Sequence, residues 1–305
     1  MKDTLTAFYD LEISPVSYDF VVFMVKAELA RRELKLKKLH VVIVPFADGM
    51  GGMFRDKSQF YDEHEAKWRL WNICIPACAL IGASVTLATD WEQAAKLEEG
   101  GIGWPKDWNM QTLRTRPHLI GGIITAAKAG VEIPTLRCSD HARRVVRKLF
   151  QGRRIVTMTQ RHTYLNGRNT VPSEWAQAQE YISGKDCAVV MIKDVGTALA
   201  QGGGFAELSI DLRMAMYEEA ELNLVANNGC ASLCWFSDRP YRMFDAGVGD
   251  TRREWEGLFV EQGLPWGSSF TWSSTQQRII YKRSSADVII EEFESWHGSS
   301  DHRNG

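Results

Sequence analysis

A glycine-rich loop with two charged residues follows one of the apolar runs of the sequence. The stretch VVIVPFADGMGGMFR carries Asp48, then Gly51 and Gly52, and then Arg55. Glycines let a backbone approach a ligand closely, an arginine fork matches phosphate oxygens, and a carboxylate can accept a proton from a hydroxyl group. The pattern therefore indicates a loop that meets a phosphate or a sugar, with an ordinary surface turn as the alternative.

Two arginines seven residues apart mark a second polar stretch, RHTYLNGRNT. It begins with Arg161 and His162, and it contains Arg168 and Asn169 near its end. Guanidinium groups bind phosphate oxygens through paired hydrogen bonds. In a chain whose net charge is only −2, arginines concentrated at one place fit a diphosphate ligand better than a nucleic-acid backbone. A solvated loop that makes ordinary ion pairs is the alternative explanation.

Two more apolar runs end in polar residues. CAVVMIKD ends at Asp194, and LNLVANNG ends in Asn227, Asn228 and Gly229. Taken singly, each has a structural explanation, because Asn and Gly favour turns and an aspartate often caps the next helix. Ligands of open parallel sheets, however, bind beyond the carboxyl ends of the strands. Four such ends that all carry amides, guanidinium groups or carboxylates therefore indicate one binding site.

The segments that would position these residues alternate between strands and helices. Uninterrupted apolar runs predict strands buried on both faces, and apolar residues at helical spacing predict the helices between them. Pro76 is expected to kink one of these helices. Residues 90–117, rich in Trp, Gly and Pro, are predicted to form a long irregular connection. The first series consists of strands at 5–13, 39–45 and 83–89 and of helices at 16–35, 63–82 and 120–129.

A second series of the same kind begins near residue 135. It consists of strands at 153–162, 187–194, 222–229 and 241–244 and of helices at 140–150, 172–183, 211–220, 230–236 and 286–296. Alternating strands and helices predict parallel α/β layers. The chain is therefore predicted to be an α/β protein with two Rossmann-like domains, 1–135 and 136–296, followed by a tail at 297–305.

Composition and charge argue against several classes of protein. The 305 residues, 45% of them apolar, include no run of about 18 apolar residues that could span a membrane, and the first residues lack a signal-peptide core. We therefore expect a soluble, cytoplasmic protein. The balanced charge disfavours a dedicated duplex-DNA binder. The basic helix at 140–150 is best explained as a solvated face with an acidic neighbour; contact with RNA, or peripheral contact with lipid headgroups, is the less favoured alternative.

The motifs of several other enzyme classes are missing from the sequence. The six cysteines lack zinc-knuckle spacing and are expected to be buried and reduced. Gly49, Gly51 and Gly52 match neither the phosphate-binding loop of nucleoside triphosphatases nor the GxGxxG pattern of dehydrogenases. The chain carries no GxSxG elbow and no HExxH. Neither a cofactor nor a metal ion is predicted.

Four stretches of the second series resemble a known group of enzymes. RIVTMTQRHTYLNGRNT, PSEWAQAQEYI, VVMIKD and DLRMAMYEEAELNLVANNG are similar to segments of bacterial glycosyltransferases of the GT-B type, in the O-fucosyltransferase-like and heptosyltransferase-like branches. The resemblance covers about residues 135–290, and the first domain matches only in its alternation of strands and helices. The order Gln160-Arg161-His162 departs from the His-x-Arg order of the fucosyltransferase branch.

The resemblance implies two Rossmann-like domains that face a cleft, in which a sugar moves from a nucleotide-diphosphate donor to a glycan or glycolipid acceptor without a metal ion. Arg161 and Arg168 would then contact the diphosphate, and Asp194 would lie near the nucleotide. Asp48, from the acceptor-side domain, would be the general base that takes the proton of the acceptor hydroxyl. The other substrate-binding residues would be Gly51, Gly52, Arg55, His162, Asn169, Asn227, Asn228 and Gly229.

Two other functions stay open at this point. A nucleotide-sugar epimerase of the same fold would need acid and base groups on both sides of the sugar, which the loops with Asp, Glu and His could supply. A non-catalytic interaction subunit of a polysaccharide assembly system would be marked by strand-end residues that do not converge on one site.

Overall fold

The computed structural model describes residues 3–45, 63–99, 102–106, 120–163, 169–195, 204–249 and 252–301. The chain forms two compact units, Met1–Arg137 and Cys138–Gly305, and the boundary predicted between residues 135 and 136 lies two residues before this division. Each unit is built on one parallel sheet. None of the helices within these ranges combines the length and the apolar composition needed to cross a membrane.

The first unit contains a sheet of four parallel strands. They are β1 (Thr4–Asp10), β2 (Lys38–Val44), β3 (Ser84–Leu87) and β4 (Ile102–Trp104). Their order in the sheet is β3-β2-β1-β4. Six of the seven residues of β1 are buried, because this central strand is covered on both faces. The helices of the unit are α1 (Asp19–Glu33), α2 (Glu63–Arg69), α3 (Trp91–Glu99) and α4 (Gly121–Lys128).

The irregular connection predicted for residues 90–117 is wrong in its first part, which contains α3 and β4. Asp90 begins the helix by accepting a hydrogen bond from Gln93 N on its Oδ1 at 2.8 Å. β4 has only three residues, and its central glycine lowers the local preference for strand. Such a strand is too short to reveal itself by alternation, and it is fixed by pairing with β1.

The helical segment predicted at 63–82 changes its winding instead of running as one α-helix. Ile75 N bonds to Leu70 O, five residues back, and the side-chain amide of Asn72 donates to Trp68 O at 2.8 Å. The disturbance expected at Pro76 is therefore spread over several residues, because this residue cannot donate a backbone hydrogen bond. After α2 come a π-helical turn (Leu70–Cys74), a short α-helical turn (Ile75–Ala77) and a 3₁₀ turn (Cys78–Ile81).

The second unit contains a sheet of five parallel strands. They are β5 (Ile155–Thr159), β6 (Ala188–Ile192), β7 (Leu222–Ala226), β8 (Tyr241–Phe244) and β9 (Gln277–Ile279). Their order is β6-β5-β7-β8-β9. The helices are α5 (Asp140–Phe150), α6 (Pro172–Ser183), α7 (Phe205–Leu208), α8 (Ile210–Glu219), α9 (Ala231–Trp235), α10 (Arg252–Glu261) and α11 (Ala286–Asp301).

Three elements of this unit are missing from the sequence-based prediction: β9, α7 and α10. In addition, α11 extends to Asp301, so the first part of the tail predicted at 297–305 is helical. His297 stacks on Phe293, with ring centroids 5.4 Å apart, and this contact within the helix supports the additional turn.

The basic helix α5 is paired with acidic residues of α8. Arg143 contacts Glu218, and Arg147 Nε lies 2.7 Å from Glu219 Oε2. The hydroxyl of Ser139 caps the helix by accepting a backbone hydrogen bond from its first turn at 3.1 Å. The acidic neighbour expected for this helix is therefore α8.

The first two residues of the second unit are bound by residues much further along the chain. Cys138 donates its backbone N–H to Glu218 Oε1 at 2.7 Å and its thiol to Glu218 Oε2 at 3.2 Å, across 80 residues. Ser139 donates its backbone N–H and its hydroxyl to the two oxygens of Asp211, at 2.8 and 2.6 Å, across 72 residues. The beginning of the unit is thus fixed to both ends of α8.

All six cysteines are free and buried, and we expect them to be inert in the folded protein. Burial raises the pKa of Cys78 to about 12 and, together with the carboxylate of Glu218, the pKa of Cys138 to about 12. Since the thiolate is the reactive form, a colorimetric disulfide reagent at pH 8 should label none of them in the native protein and all six after denaturation. Rapid labelling of one thiol in the native protein would contradict this.

The same shifts give the direction of one pH effect on stability. The pKa of the buried thiols is higher in the folded chain than in the unfolded chain, so their contribution to stability is complete below the ordinary thiol pKa of 9.0. As the pH rises past that value, the unfolded chain ionises first, and the melting temperature should fall.

Candidate functional site

The carboxyl ends of β5 and β7 mark the point in the second sheet where the direction of strand order changes. From β5 the chain adds β6 on one side, and it then crosses to add β7 on the other side. Open α/β sheets bind ligands beyond the carboxyl ends of the strands at such a point, because the connecting loops diverge there and leave a crevice.

Two hydrogen bonds join the residues that follow these two strands. Arg161, after β5, donates from Nη1 to Asn227 O at 2.8 Å, and Asn228, after β7, donates from Nδ2 to Gln160 O at 3.1 Å. Arg161 is 9% exposed, and both asparagines are buried. The structure therefore brings together Arg161, Asn227 and Asn228, which were predicted from the sequence to share one site. Gly229 is exposed at the same turn.

The amide of Asn169 closes its own loop. Its Oδ1 accepts Thr163 N at 2.8 Å and its Nδ2 donates to Thr163 O at 2.7 Å, while Thr170 N bonds to Arg161 O at 3.0 Å. Asn169 thus fixes the two ends of the loop that begins at Arg161. His162 is exposed beside it, and Arg168 lies outside the described residues.

Asp194 follows β6, the strand on the other side of β5, and it is buried. The preceding residue is held from both sides: Lys193 N donates to Glu207 Oε1 at 3.1 Å, and Arg213 Nη2 donates to Lys193 O at 3.3 Å. Arg213 is fully buried and also donates from Nε to Ala206 O at 2.8 Å. α7 and α8 thus fix the end of β6, and with it the position of Asp194.

Asp245 is a candidate site residue that the sequence-based prediction missed. It follows β8, the strand next to β7, and accepts two hydrogen bonds from Ser284, at 2.9 Å from its backbone N and 2.7 Å from its hydroxyl. Burial raises the pKa of the Asp245 carboxyl; the bonds from Ser284 and the positive charges of Arg283 and Arg161 partly offset this shift. The 241–244 strand is predicted from the sequence, so the rule applied to the other strand ends would have identified Asp245 as well.

In the first unit, the predicted loop residues lie outside the described residues. These are Asp48, Gly51, Gly52 and Arg55.

At the carboxyl edge of that sheet, the structure describes the end of β1, the strand between β2 and β4. Asp10 is buried there, and its Oδ1 accepts Glu12 N at 2.9 Å. Asp19 begins α1, is exposed, and accepts a hydrogen bond from Ser17 Oγ at 2.9 Å. This strand end is not among the four that the sequence pattern predicts, although its acidic residues follow an apolar run.

Within the described ranges, no group of three or more His, Cys, Asp or Glu side chains is arranged to hold a metal ion.

Two units, each built on one parallel sheet with flanking helices, define the class of fold: it is the fold of GT-B glycosyltransferases, with two Rossmann-like domains. Among solved structures, the ADP-heptose LPS heptosyltransferase II of E. coli is similar over 99% of this chain and 100% of its own, at 12% identity and a TM-score of 0.50. The predicted fold class and the fold-level resemblance are therefore confirmed.

Two further solved structures are similar over nearly the whole chain. A glycosyl transferase of family 9 from Veillonella parvula has 10% identity, covers 96% of this chain and 97% of its own, and has a TM-score of 0.48. The E. coli heptosyltransferase WaaC with ADP has 13% identity, covers 97% and 99%, and has a TM-score of 0.46. No protein-family model matches the sequence, and no curated protein sequence matches it either.

Proposed function

We propose that the protein is a glycosyltransferase that moves a sugar from a nucleoside-diphosphate donor to a hydroxyl group of a glycan or glycolipid. The observation that supports this most directly is the buried guanidinium of Arg161 at the switch point of the second sheet, bonded to the turn after β7. A largely desolvated positive charge at a strand end attracts an anion strongly, because little water screens it.

The surroundings of Arg161 suit a diphosphate that carries a sugar. Arg283 is a second guanidinium near this edge: it directly precedes Ser284, which bonds to Asp245, and its charge offsets part of the rise that burial causes in the pKa of that carboxyl. Side-chain amides such as those of Asn227 and Asn228 can exchange donors and acceptors with sugar hydroxyls. Cations and neutral amides side by side thus offer partners for both halves of a nucleotide sugar.

The roles that we assign follow the chemistry of the transfer. A base removes the proton of the acceptor hydroxyl. The hydroxyl oxygen bonds to the anomeric carbon of the donor sugar, and the bond from that carbon to the diphosphate oxygen breaks. The nucleoside diphosphate leaves with the bonding electron pair, so its oxygens need positive partners. We assign the role of general base to Asp48, and the binding of the leaving diphosphate to Arg161 and Arg168. The remaining contacts with substrate are assigned to Gly51, Gly52, Arg55, His162, Asn169, Asp194, Asn227, Asn228 and Gly229.

Titration with nucleotides tests this function, and Arg161→Ala is the informative variant. We expect ADP, GDP or UDP to bind the unmodified protein, and Arg161→Ala to weaken binding about 10- to 100-fold, because a charge-assisted hydrogen bond contributes roughly 1.5–3 kcal/mol. ADP-heptose is the first complete donor to test, since the E. coli protein of similar fold is named for it. Calorimetry measures the affinities.

Arg154 provides the matched control for this variant. It precedes β5 at the amino end of the strand, where its Nε pairs with Glu221 at 2.9 Å, whereas Arg161 follows the carboxyl end. Arg154→Ala should bind nucleotide like the unmodified protein. If no nucleotide binds, or if the two variants lose affinity equally, a non-catalytic interaction subunit becomes the better explanation.

A further inference from the structure

Trp266 lies on the backbone of the turn that follows β8. Gly247 in this turn has φ +60°, and a Cβ atom built there would lie 2.3 Å from Trp266 Cη2. Both the left-handed backbone and the lack of space require glycine at this position. The indole therefore touches the turn directly, three residues after the carboxyl end of the strand.

Two other aromatic residues hold this indole in place. The ring of Tyr281, two residues after β9, lies 4.7 Å from the ring of Trp266, and Phe259 of α10 meets it edge-to-face at 6.3 Å. In spite of these contacts, Trp266 is 41% exposed. An aromatic surface that is fixed from behind and open to solvent is ready to stack on a planar ligand, because little conformational entropy remains to be lost.

The position of Trp266 relative to Arg161 fits one ligand. β5 and β8 are separated by β7 alone, and neighbouring strands lie about 4.8 Å apart, so the ends of β5 and β8 are roughly 10 Å apart. Asp245, the first residue after β8, is close enough to Arg161 for the charge of that arginine to offset part of the rise that burial causes in the pKa of its carboxyl. In a nucleoside diphosphate, the ribose and the first phosphate together place the base at a comparable distance from the terminal phosphate.

We propose that Trp266 is the stacking surface for the nucleobase of the donor, while Arg161 holds its diphosphate. This assignment rests on the proposed function and adds to it the residue that recognises the base. Gly247 then has an indirect role: it leaves the space in which the indole lies.

The test compares Trp266→Ala and Trp266→Phe in titrations with ADP, GDP and UDP. Loss of a stacking partner weakens binding of a base about 5- to 150-fold, so Trp266→Ala should lose this much affinity. Trp266→Phe retains an aromatic face and should bind within roughly threefold of the unmodified protein. Trp71→Ala is the matched control, because Trp71 is an exposed tryptophan of the first unit; its affinity should not change.

Fluorescence separates stacking from a purely structural role. A base stacked on the indole quenches its emission, so nucleotide should quench the unmodified protein more than Trp266→Phe, even when both are saturated. Unchanged affinity in Trp266→Ala, or equal quenching in Trp266→Phe, would overturn the assignment. Failure of every nucleotide to bind the unmodified protein would instead contradict the proposed function itself.

Discussion

Replacing Asp48 by Asn should cut turnover about 10²- to 10⁴-fold, the range for loss of a general base, and should leave nucleotide affinity nearly unchanged. The amide has almost the same shape as the carboxylate but cannot take the proton of the acceptor hydroxyl. The diphosphate contacts assigned to Arg161 remain in this variant. Release of nucleoside diphosphate measures the turnover, and calorimetry on the same preparation measures the affinity.

Two other aspartates of the first unit make this test specific. Asp3 precedes β1 at its amino end and pairs with Lys37 at 2.9 Å, so Asp3→Asn should retain full turnover. Asp19 begins α1, the helix that follows the carboxyl end of β1. In the sequence, Asp48 follows the carboxyl end of the neighbouring strand β2. If Asp19→Asn loses turnover and Asp48→Asn retains it, the base is Asp19, and Asp48 belongs to a structural turn.

Removal of the Glu218 side chain should destabilise the second unit by roughly 3 kcal/mol. Glu218 is 2% exposed; one of its oxygens accepts Cys138 N, and the other accepts Arg143 and the Cys138 thiol. Glu218→Ala leaves these donors without their acceptor. Breaking a buried ion pair costs about 3–5 kcal/mol, and the low end applies because the side chain of Arg143 is 24% exposed.

Glu221→Ala is the matched control for Glu218→Ala. Glu221 pairs with Arg154 at 2.9 Å, but its side chain is 43% exposed, and exposed pairs contribute less than about 1 kcal/mol. Urea unfolding of the full chain, followed through the transition of the second unit, compares the two. If both variants lose the same free energy of unfolding, the buried contacts of Glu218 contribute little to stability.

The sequence predicted those elements whose burial leaves a local pattern. β1 is buried in six of its seven residues because both of its faces are covered, and β5 is buried along its whole length. β9 shows no such pattern: Gln277 is buried, Arg278 is exposed, and only Ile279 is a buried apolar residue. Its position depends on pairing with β8 and on bonds from the Gln277 amide to the carbonyls of Ser237 and Arg239, at 2.8 and 3.1 Å. Contacts between residues about 40 positions apart leave no pattern in the local sequence.

The same distinction applies to the candidate site. Polar residues after apolar runs identify Arg161, Asn227 and Asn228, but their contact depends on β5 lying beside β7, and sequence order does not give the order of strands in a sheet. Asn169 is predicted from the sequence to bind substrate, and the bonds by which its amide joins the ends of its own loop could not be read from the same pattern. The position of Trp266 depends on a missing Cβ atom 19 residues earlier in the chain.

The bonds from Cys138 and Ser139 to α8 also set an order of events while the chain is being made. Their acceptors, Glu218 and Asp211, are synthesised 80 and 72 residues later. At a synthesis rate of about 5–20 residues per second, Glu218 is made roughly 4–16 s after Cys138. The first unit ends at Arg137, whose backbone N–H bonds back to Leu80 O. A ribosome therefore completes the chain of the first unit before it makes the acceptors that bind the first two residues of the second unit.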